Sequence, residues 1–211
     1  GISDHPDADI DYTFAQIGVR NATVGYNANC GNMSAAMGPF AVDEGLVPPQ
    51  LVDGQAMVRV LNTNTNKILH AYFDLDDGLS AVDGDYELKG VAGTGSPVRM
   101  AFQTPGGAST GKLLPTGNTR DILNISGLGK IEVSIVDAAN TVVTVHAESV
   151  GLKGTELPDE IDANAELMEK LELIRSHAGA MIGFGETPEE VSQNSPVTPF
   201  IGFVSPPQDA V

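Results

Sequence analysis

The stretch NANCGNMSAAMGPFAVDEGLV, Asn27 to Val47, holds the single cysteine of the chain, Cys30. It stands directly against Gly31 and Asn32, ahead of residues that read as the opening of a helix. A cysteine just before a helix start feels the positive end of the backbone dipole and the free N–H groups of the first turn, which favour the thiolate. The same donors form a site for a substrate carboxylate. Gly31 lets such a group approach the backbone closely, and the Asn32 side chain can donate a further hydrogen bond. A base beside a carboxylate cradle suits removal of a proton from the carbon next to that carboxylate. The alternative is a small buried hydrophobe ahead of a core helix. From these residues alone both readings stay open.

Other motifs carry less. GGASTGK, Gly106 to Lys112, matches the first part of a phosphate-binding loop, but Leu113 follows where Ser or Thr is required, and LLPTGN stands where a helix should begin. Asn21, Asn32 and Asn124 open glycosylation sequons by pattern, which carry no weight without a visible secretory signal. The histidines His5, His70, His146 and His177 are scattered, and none stands at metal-ligand spacing with Cys30. No metal site, and no Cys–His pair adjacent in sequence, is expected.

The elements that must position Cys30 follow from the hydrophobic pattern. A helix is expected to start near Asn32–Ser34, to be interrupted or re-angled at Gly38-Pro39, and to continue to Gly45. TFAQIGV (Thr13 to Val19) and NATVGYN (Asn21 to Asn27) read as short strands. Gln55 to Leu75 reads as a hairpin around the Asn/Thr turn Asn62–Asn66, and Ser96 to Gln103 as a further strand. A Gly/Pro/Ser/Thr-rich loop spans Thr104 to Asn118. Gly129 to Gly151 looks like a second strand pair turning at Ala138-Ala139-Asn140. A long helix falls between Pro158 and Gly179, where Leu167, Leu171 and Ile174 repeat at helical spacing, and Thr198 to Val204 is a last strand. Many strands mixed with few helices argue an α+β fold rather than a doubly wound nucleotide fold. The composition shift at Ser126–Gly129 is the best boundary, giving domains 1–128 and 129–211.

The totals exclude several classes. The 211 residues suffice for one large domain or two small ones, with 41% hydrophobic and 18% charged residues. No apolar run reaches the roughly 20 residues that span a bilayer. The 28 acidic against 11 basic residues give a charge of −17, which repels phosphate backbones, so no nucleic-acid partner is expected. An anionic substrate would need strong local donors against that field. A single cysteine cannot form an intrachain disulfide and fits a reducing compartment, so cytoplasm is the expected location. The first residue is Gly1 rather than Met, and the sequence stops soon after Pro206-Pro207, so a fragment or processed piece is expected.

NCGNM followed by GPFAVDEGLV resembles the signature of the PrpF family, which includes 2-methylaconitate cis–trans isomerase, methylitaconate Δ-isomerase, 4-oxalomesaconate tautomerase and aconitate Δ-isomerase. The similarity continues through DIDYTFAQIGV (Asp9 to Val19), LPTGN (Leu114 to Asn118), GLKGTELP (Gly151 to Pro158) and FVSPP (Phe203 to Pro207), in order along the whole chain. The resemblance implies a diaminopimelate epimerase-like fold: two similar lobes, each a curved, mostly antiparallel sheet around a central helix, here incomplete. Residues 1–128 would be most of the first lobe and 129–211 the beginning of the second. It makes Cys30 the family's cysteine and places carboxylate binding on Gly31, Asn32 and Met33. Thr116, Gly117 and Asn118, in PTGN, match a stretch facing the active cleft. Family members carry a catalytic lysine a few residues upstream of the DxDY segment and a larger C-terminal lobe, and neither is in this sequence.

The implied activity is cofactor-independent isomerisation of a small unsaturated di- or tricarboxylate, by allylic proton transfer or cis–trans isomerisation. No metal or cofactor is expected, and the partner is the polycarboxylate itself, with no membrane and a homodimer left open. An amino-acid racemase or epimerase of the same fold is the first rival, although that chemistry uses two cysteines. A binding or accessory protein that recognises a polycarboxylate without turnover is the second. A plain α+β domain with a buried cysteine is the third.

Overall fold

The protein is described from a computed structural model over residues 1–19, 22–26 and 29–207. Both ends of the strand expected over Asn21 to Asn27, and the sequon at Asn21, lie outside the described residues. Residues Gly1–Pro105 and Gly106–Val211 form two compact units. The boundary expected at 128/129 falls inside the second of these units. Gly127 and Gly129, at φ of 84° and 79°, make the tight turn of a hairpin inside the second unit, so the glycines mark a turn and not a linker.

In the first unit the elements are β1 (Ile10–Tyr12), β2 (Gln16–Ile17), β3 (Val24–Gly25), α1 (Gly31–Asp43), β4 (Gln50–Val52), β5 (Gln55–Asn62), β6 (Lys67–Phe73), β7 (Leu75–Asp76), β8 (Leu79–Ser80) and β9 (Arg99–Phe102). The main sheet has the order β1-β5-β6-β9, with β4 also paired to β5. β1 runs parallel to β5, and the other pairs are antiparallel. Alternation along β5 and β6 buries Ala56, Val58 and Val60 with Leu69, Ala71 and Phe73 on one face. Arg59, His70 and Tyr72 fall on the other face.

α1 lies across the apolar face. A Cβ on Gly38 would stand 2.6 Å from Ala71 Cβ and 3.1 Å from Phe73 Cε1, so glycine sets how closely helix and sheet approach. The interruption expected at Gly38-Pro39 does not occur, because α1 runs through Pro39 as one helix. The residue before a proline is kept out of helical geometry partly by its own Cβ, and Gly38 has none. α1 ends in a left-handed cap: Gly45 has φ 65°, Leu46 N–H donates to Ala41 O, and Gly45 N–H to Val42 O. The helix buries Ser34, Gly38, Ala41 and Val42, while Met33 and Phe40 stay about half exposed. Within its own unit it is therefore covered on one side rather than all round.

The second unit contains β10 (Asp121–Ile125), β11 (Gly129–Ala138), β12 (Asn140–His146), α2 (Pro158–Asp162), α3 (Ala165–Met181), α4 (Pro188–Asn194) and β13 (Phe200–Val204). Its sheet has the order β10-β11-β12-β13, with β13 parallel to β12. Leu167, Leu171, Ile174 and Ala178 of α3 pack with Leu123, Ile131, Val133, Ile135, Val143 and Val145 of the sheet. The long helix expected between Pro158 and Gly179 is α3, which starts at Asn164, whose side chain accepts Leu167 N–H, with the short α2 ahead of it. Each unit is a mostly antiparallel sheet with a helix on one face, the α+β class expected. Among the described residues no helix is long and apolar enough to cross a membrane.

Candidate active site

α1 begins one to three residues earlier than the apolar pattern suggests, with Gly31 as its first residue and Cys30 at the N-cap in extended conformation, φ −110° and ψ 112°. The first backbone bond of the helix is Ser34 N–H to Cys30 O, 2.9 Å. The amides of Gly31, Asn32 and Met33 precede it and belong to the turn that has no intrahelical acceptor. Cysteine at an N-cap could fold back onto those amides, as serine does, but the Cys30 side chain makes no capping bond. Sulfur and amides are thus both available at the same end of one helix. Gly31, Asn32 and Met33 are exposed, whereas Cys30 is half-buried. A Cβ on Gly31 would meet nothing within 4 Å, so no neighbour among the described residues requires glycine there.

Beneath Cys30 lies a polar layer that sequence reading missed. Asn29 and Ser34 are buried, and Asn29 Oδ1 accepts from Ser34 Oγ at 2.9 Å and from Asn62 Nδ2 at 2.7 Å. Ser34 Oγ also lies 2.8 Å from Cys30 O as a donor. Asn62 closes β5, and its Oδ1 accepts from Asn64 N–H, Thr65 N–H and Thr65 Oγ1 at 2.9, 3.0 and 3.2 Å. Asn64 clamps the root of the β2–β3 hairpin, donating from Nδ2 to Phe14 O and to Tyr26 O, both at 2.8 Å. The Asn/Thr turn is a hub tying β1, the hairpin and the start of α1 together. Its signal in the sequence was a turn with more amide side chains than a hairpin needs.

Tyr12 ends β1 opposite Asn62 in the parallel register, and its ring is buried with the core under α1. Burial raises its pKa, Ser34 acts in the opposite direction, and negative charge on Cys30 raises it further.

Thr116, Gly117 and Asn118 belong to the second unit. Gly117 turns the chain at φ 82°, and the loop is pinned by Asp121, which accepts from Thr116 Oγ1 at 2.7 Å and from Asn118 Nδ2 at 2.9 Å. Gly117 and Asn118 line an open hollow with Thr119, Arg120, Ile122 and Glu132. Asp121 was not singled out in the sequence, although a carboxyl three residues after Asn118 was there to be seen.

The other motifs resolve structurally. The GGASTGK loop forms turns, and Ser109 N–H, Thr110 N–H and Thr110 Oγ1 all donate to Asp137 Oδ2 at 2.9, 2.7 and 2.8 Å. His70 stands on the sheet face away from α1, with its pKa lowered by burial and by Arg59, against the pull of Asp9. His177 Nδ1 lies 2.7 Å from Leu173 O. Among the described residues no three His, Cys, Asp or Glu side chains gather as for a metal ion.

Comparison with known proteins extends these observations over the whole chain. Residues 2–211 match the model of the family described as PrpF protein. The chain is 49% identical over 211 residues to 3-methylitaconate isomerase of Eubacterium barkeri, covering 100% of this chain and 55% of that protein. It is 33% identical over 205 residues to 2-methyl-aconitate isomerase of Shewanella oneidensis, covering 95% of this chain and 51% of that one. A crystal structure of methylitaconate-delta-isomerase superimposes with a TM-score of 0.83 at 49% identity, over 100% of this chain and 54% of the other. The chain spans about half the length of the curated relatives it matches. A family model matched from residue 2 to residue 211, and a fold shared with a relative at 49% identity, establish that this chain belongs to the PrpF family.

Proposed function

We propose that this chain carries one face of the active site of an isomerase that moves an allylic proton, or interconverts cis and trans forms, in a small unsaturated di- or tricarboxylate. The observation that carries the reading is the start of α1: a thiol at the N-cap whose sulfur does no capping, beside three exposed first-turn residues. The names of the relatives support this substrate class, since both act on methyl-branched unsaturated polycarboxylates by name.

In this reading the Cys30 thiolate takes the proton from the carbon next to a substrate carboxylate, becoming a thiol. The electron pair left on carbon delocalises into that carboxylate. The amides of Gly31, Asn32 and Met33, with the Asn32 side chain, hold the growing oxygen charge at the positive end of α1. A proton returns at the far end of the allylic system, or at the original carbon after rotation, from the thiol or from a second acid. Thr116, Gly117 and Asn118 are proposed as a second binding stretch, with Asp121 fixing the loop.

Proton NMR in D2O tests this with aconitate, 2-methylaconitate, methylitaconate and oxalomesaconate. Deuterium should enter an allylic position with the parent protein and about 100-fold more slowly with Cys30→Ser. Equal exchange by the two proteins would make Cys30 structural. Binding of a polycarboxylate with no exchange, in this chain and in one carrying the further length its relatives have, would identify a binding protein instead.

A further inference from the structure

The apolar stripe of the second unit's sheet breaks at one place. Along β11, Ile131, Val133 and Ile135 turn into the core shared with α3, and Val143 and Val145 of β12 do the same. The alternation then reaches Asp137 and Thr141, which stand opposite each other across the hairpin and are both fully buried. An apolar pair there would extend the core without the cost of taking a carboxyl group out of water. Asp137 forms no ion pair among the described residues. Its Oδ2 is served by three donors of one loop, Ser109 N–H, Thr110 N–H and Thr110 Oγ1. Its Oδ1 and the Thr141 hydroxyl meet no hydrogen-bond partner among the described residues. A group that costs the core this much and serves one loop is explained by where that loop must lie.

The loop is tied to the end of β11 from both sides. Gly106 bridges Ala138, and Gly107 N–H donates to Asp137 O at 2.9 Å. Asp137 N–H in turn donates to Leu113 O at 2.9 Å. Between them Thr110 Oγ1 donates to Asp137 Oδ2 and accepts Lys112 N–H at 3.4 Å, which carries the hold up to Leu113. Leu114 follows at once, and its carbonyl accepts Gly117 N–H at 2.9 Å, closing the turn that presents Thr116 and Asn118. The far side of that turn is held by Asp121, which pairs with Val133 of the same strand. Residues 114–120 thus bridge two anchors on β11, Asp137 and Val133, about 13 Å apart at the rise of a strand. A chain of that length reaches about 25 Å, so its path depends on how both ends are held.

We infer that Asp137 is a positioning residue for the binding stretch: by gathering the loop onto β11 it fixes one end of the turn that carries Thr116, Gly117 and Asn118, as Asp121 fixes the other. Asp137 itself touches no ligand, because it is fully buried. Its effect reaches a substrate carboxylate only through the placement of the turn. The inference rests on the reading of Thr116, Gly117 and Asn118 as a stretch that binds the polycarboxylate.

The test is methylitaconate turnover by the parent, Asp137→Ala and Asp137→Asn, in this chain and in one carrying the further length its relatives have, below the unfolding midpoint of each. A displaced binding stretch weakens ground and transition states alike, so Asp137→Ala should raise KM about tenfold and leave kcat within about twofold. Asp137→Asn keeps an oxygen for the three donors and should return KM most of the way to the parent value. A lower unfolding temperature with unchanged KM would make Asp137 a brace for the hairpin alone and overturn the inference. If Asp137→Ala does not fold by circular dichroism, Thr110→Val, which removes one donor and the link to Lys112, should raise KM about threefold, and an unchanged KM overturns the inference. If the parent shows no turnover, the Kd of methylitaconate by calorimetry takes the place of KM with the same expectations. A parent that neither turns over nor binds methylitaconate overturns the reading of Thr116, Gly117 and Asn118 along with this one. Binding that none of the variants alters overturns only the role of Asp137.

Discussion

At Cys30 the sulfur, three backbone amides and a carbonyl occupy one turn, and what distinguishes the site among the described residues is how little of that donor capacity is used. The layer below behaves oppositely, with the side chain of Asn62 joining two neighbouring segments by four hydrogen bonds. Asn62→Ala should therefore cost about 2–3 kcal/mol, because buried partners lose their bonds with no water to replace them. A urea midpoint that falls with unchanged slope would report this, and the deuterium exchange rate should drop with it as the start of α1 loosens. Cys30, Gly31 and Asn32 were legible because an N-cap is a local arrangement of consecutive residues. Tyr12 and Asn62 were not, because their meeting depends on the register of two strands about 50 residues apart in sequence. Nothing in residues 9–12 announces which strand they will join.

Among the elements, α1 matters through its distance from the sheet. Gly38→Ala gains helix propensity of about 0.8 kcal/mol, yet its methyl group would stand 2.6 Å from Ala71 Cβ, with Phe73 and Val58 behind it. Overpacking of that kind costs about 1–3 kcal/mol, so the net effect should be a loss of up to about 2 kcal/mol. Pushing the helix off the sheet also moves its first turn from the polar layer. Thermal unfolding should show the loss, and a variant as stable as the parent would mean that the sheet yields without cost. The two long hairpins were readable from alternation, since Gln55–Phe73 and Gly129–His146 carry it over many residues. β1 and β10 were missed as strands because three and five residues hold too little periodicity to separate from loop. The long helix expected between Pro158 and Gly179 is α3, and Asn164, whose side chain caps its first turn, sets where it starts.

For the whole molecule, the charge of −17 means that any anionic ligand would need strong local donors, and it also sets acid behaviour. Asp9 is opposed by burial, but hydrogen bonds and charge from Arg59 win and hold its pKa below 3.8, with a 2.7 Å contact between them. Glu172 is likewise opposed by burial, while Arg175 and Ser192 hold it below 4.5. A depressed folded pKa means stabilisation that is complete above the unfolded value and disappears as pH falls through the folded one. Stability from these two groups should thus be flat between pH 7 and 5 and be lost below about pH 4. Urea midpoints at pH 7 and pH 3 should differ less in Asp9→Asn than in the parent. The division into units was the least legible feature, because Gly127 and Gly129 serve a turn as well as they would a linker, and only pairing of β10 with β11 separates the two uses. A different contact, to the far end of β11, answers the apparent nucleotide loop. Asp137 fills that loop with a carboxyl oxygen of the chain's own, held by three donors. A phosphate arriving from solution would face a tethered competitor that never diffuses away, present at an effective concentration of roughly millimolar or more. The donors with which such a loop would greet a phosphate are therefore already turned inward, onto the chain's own carboxylate.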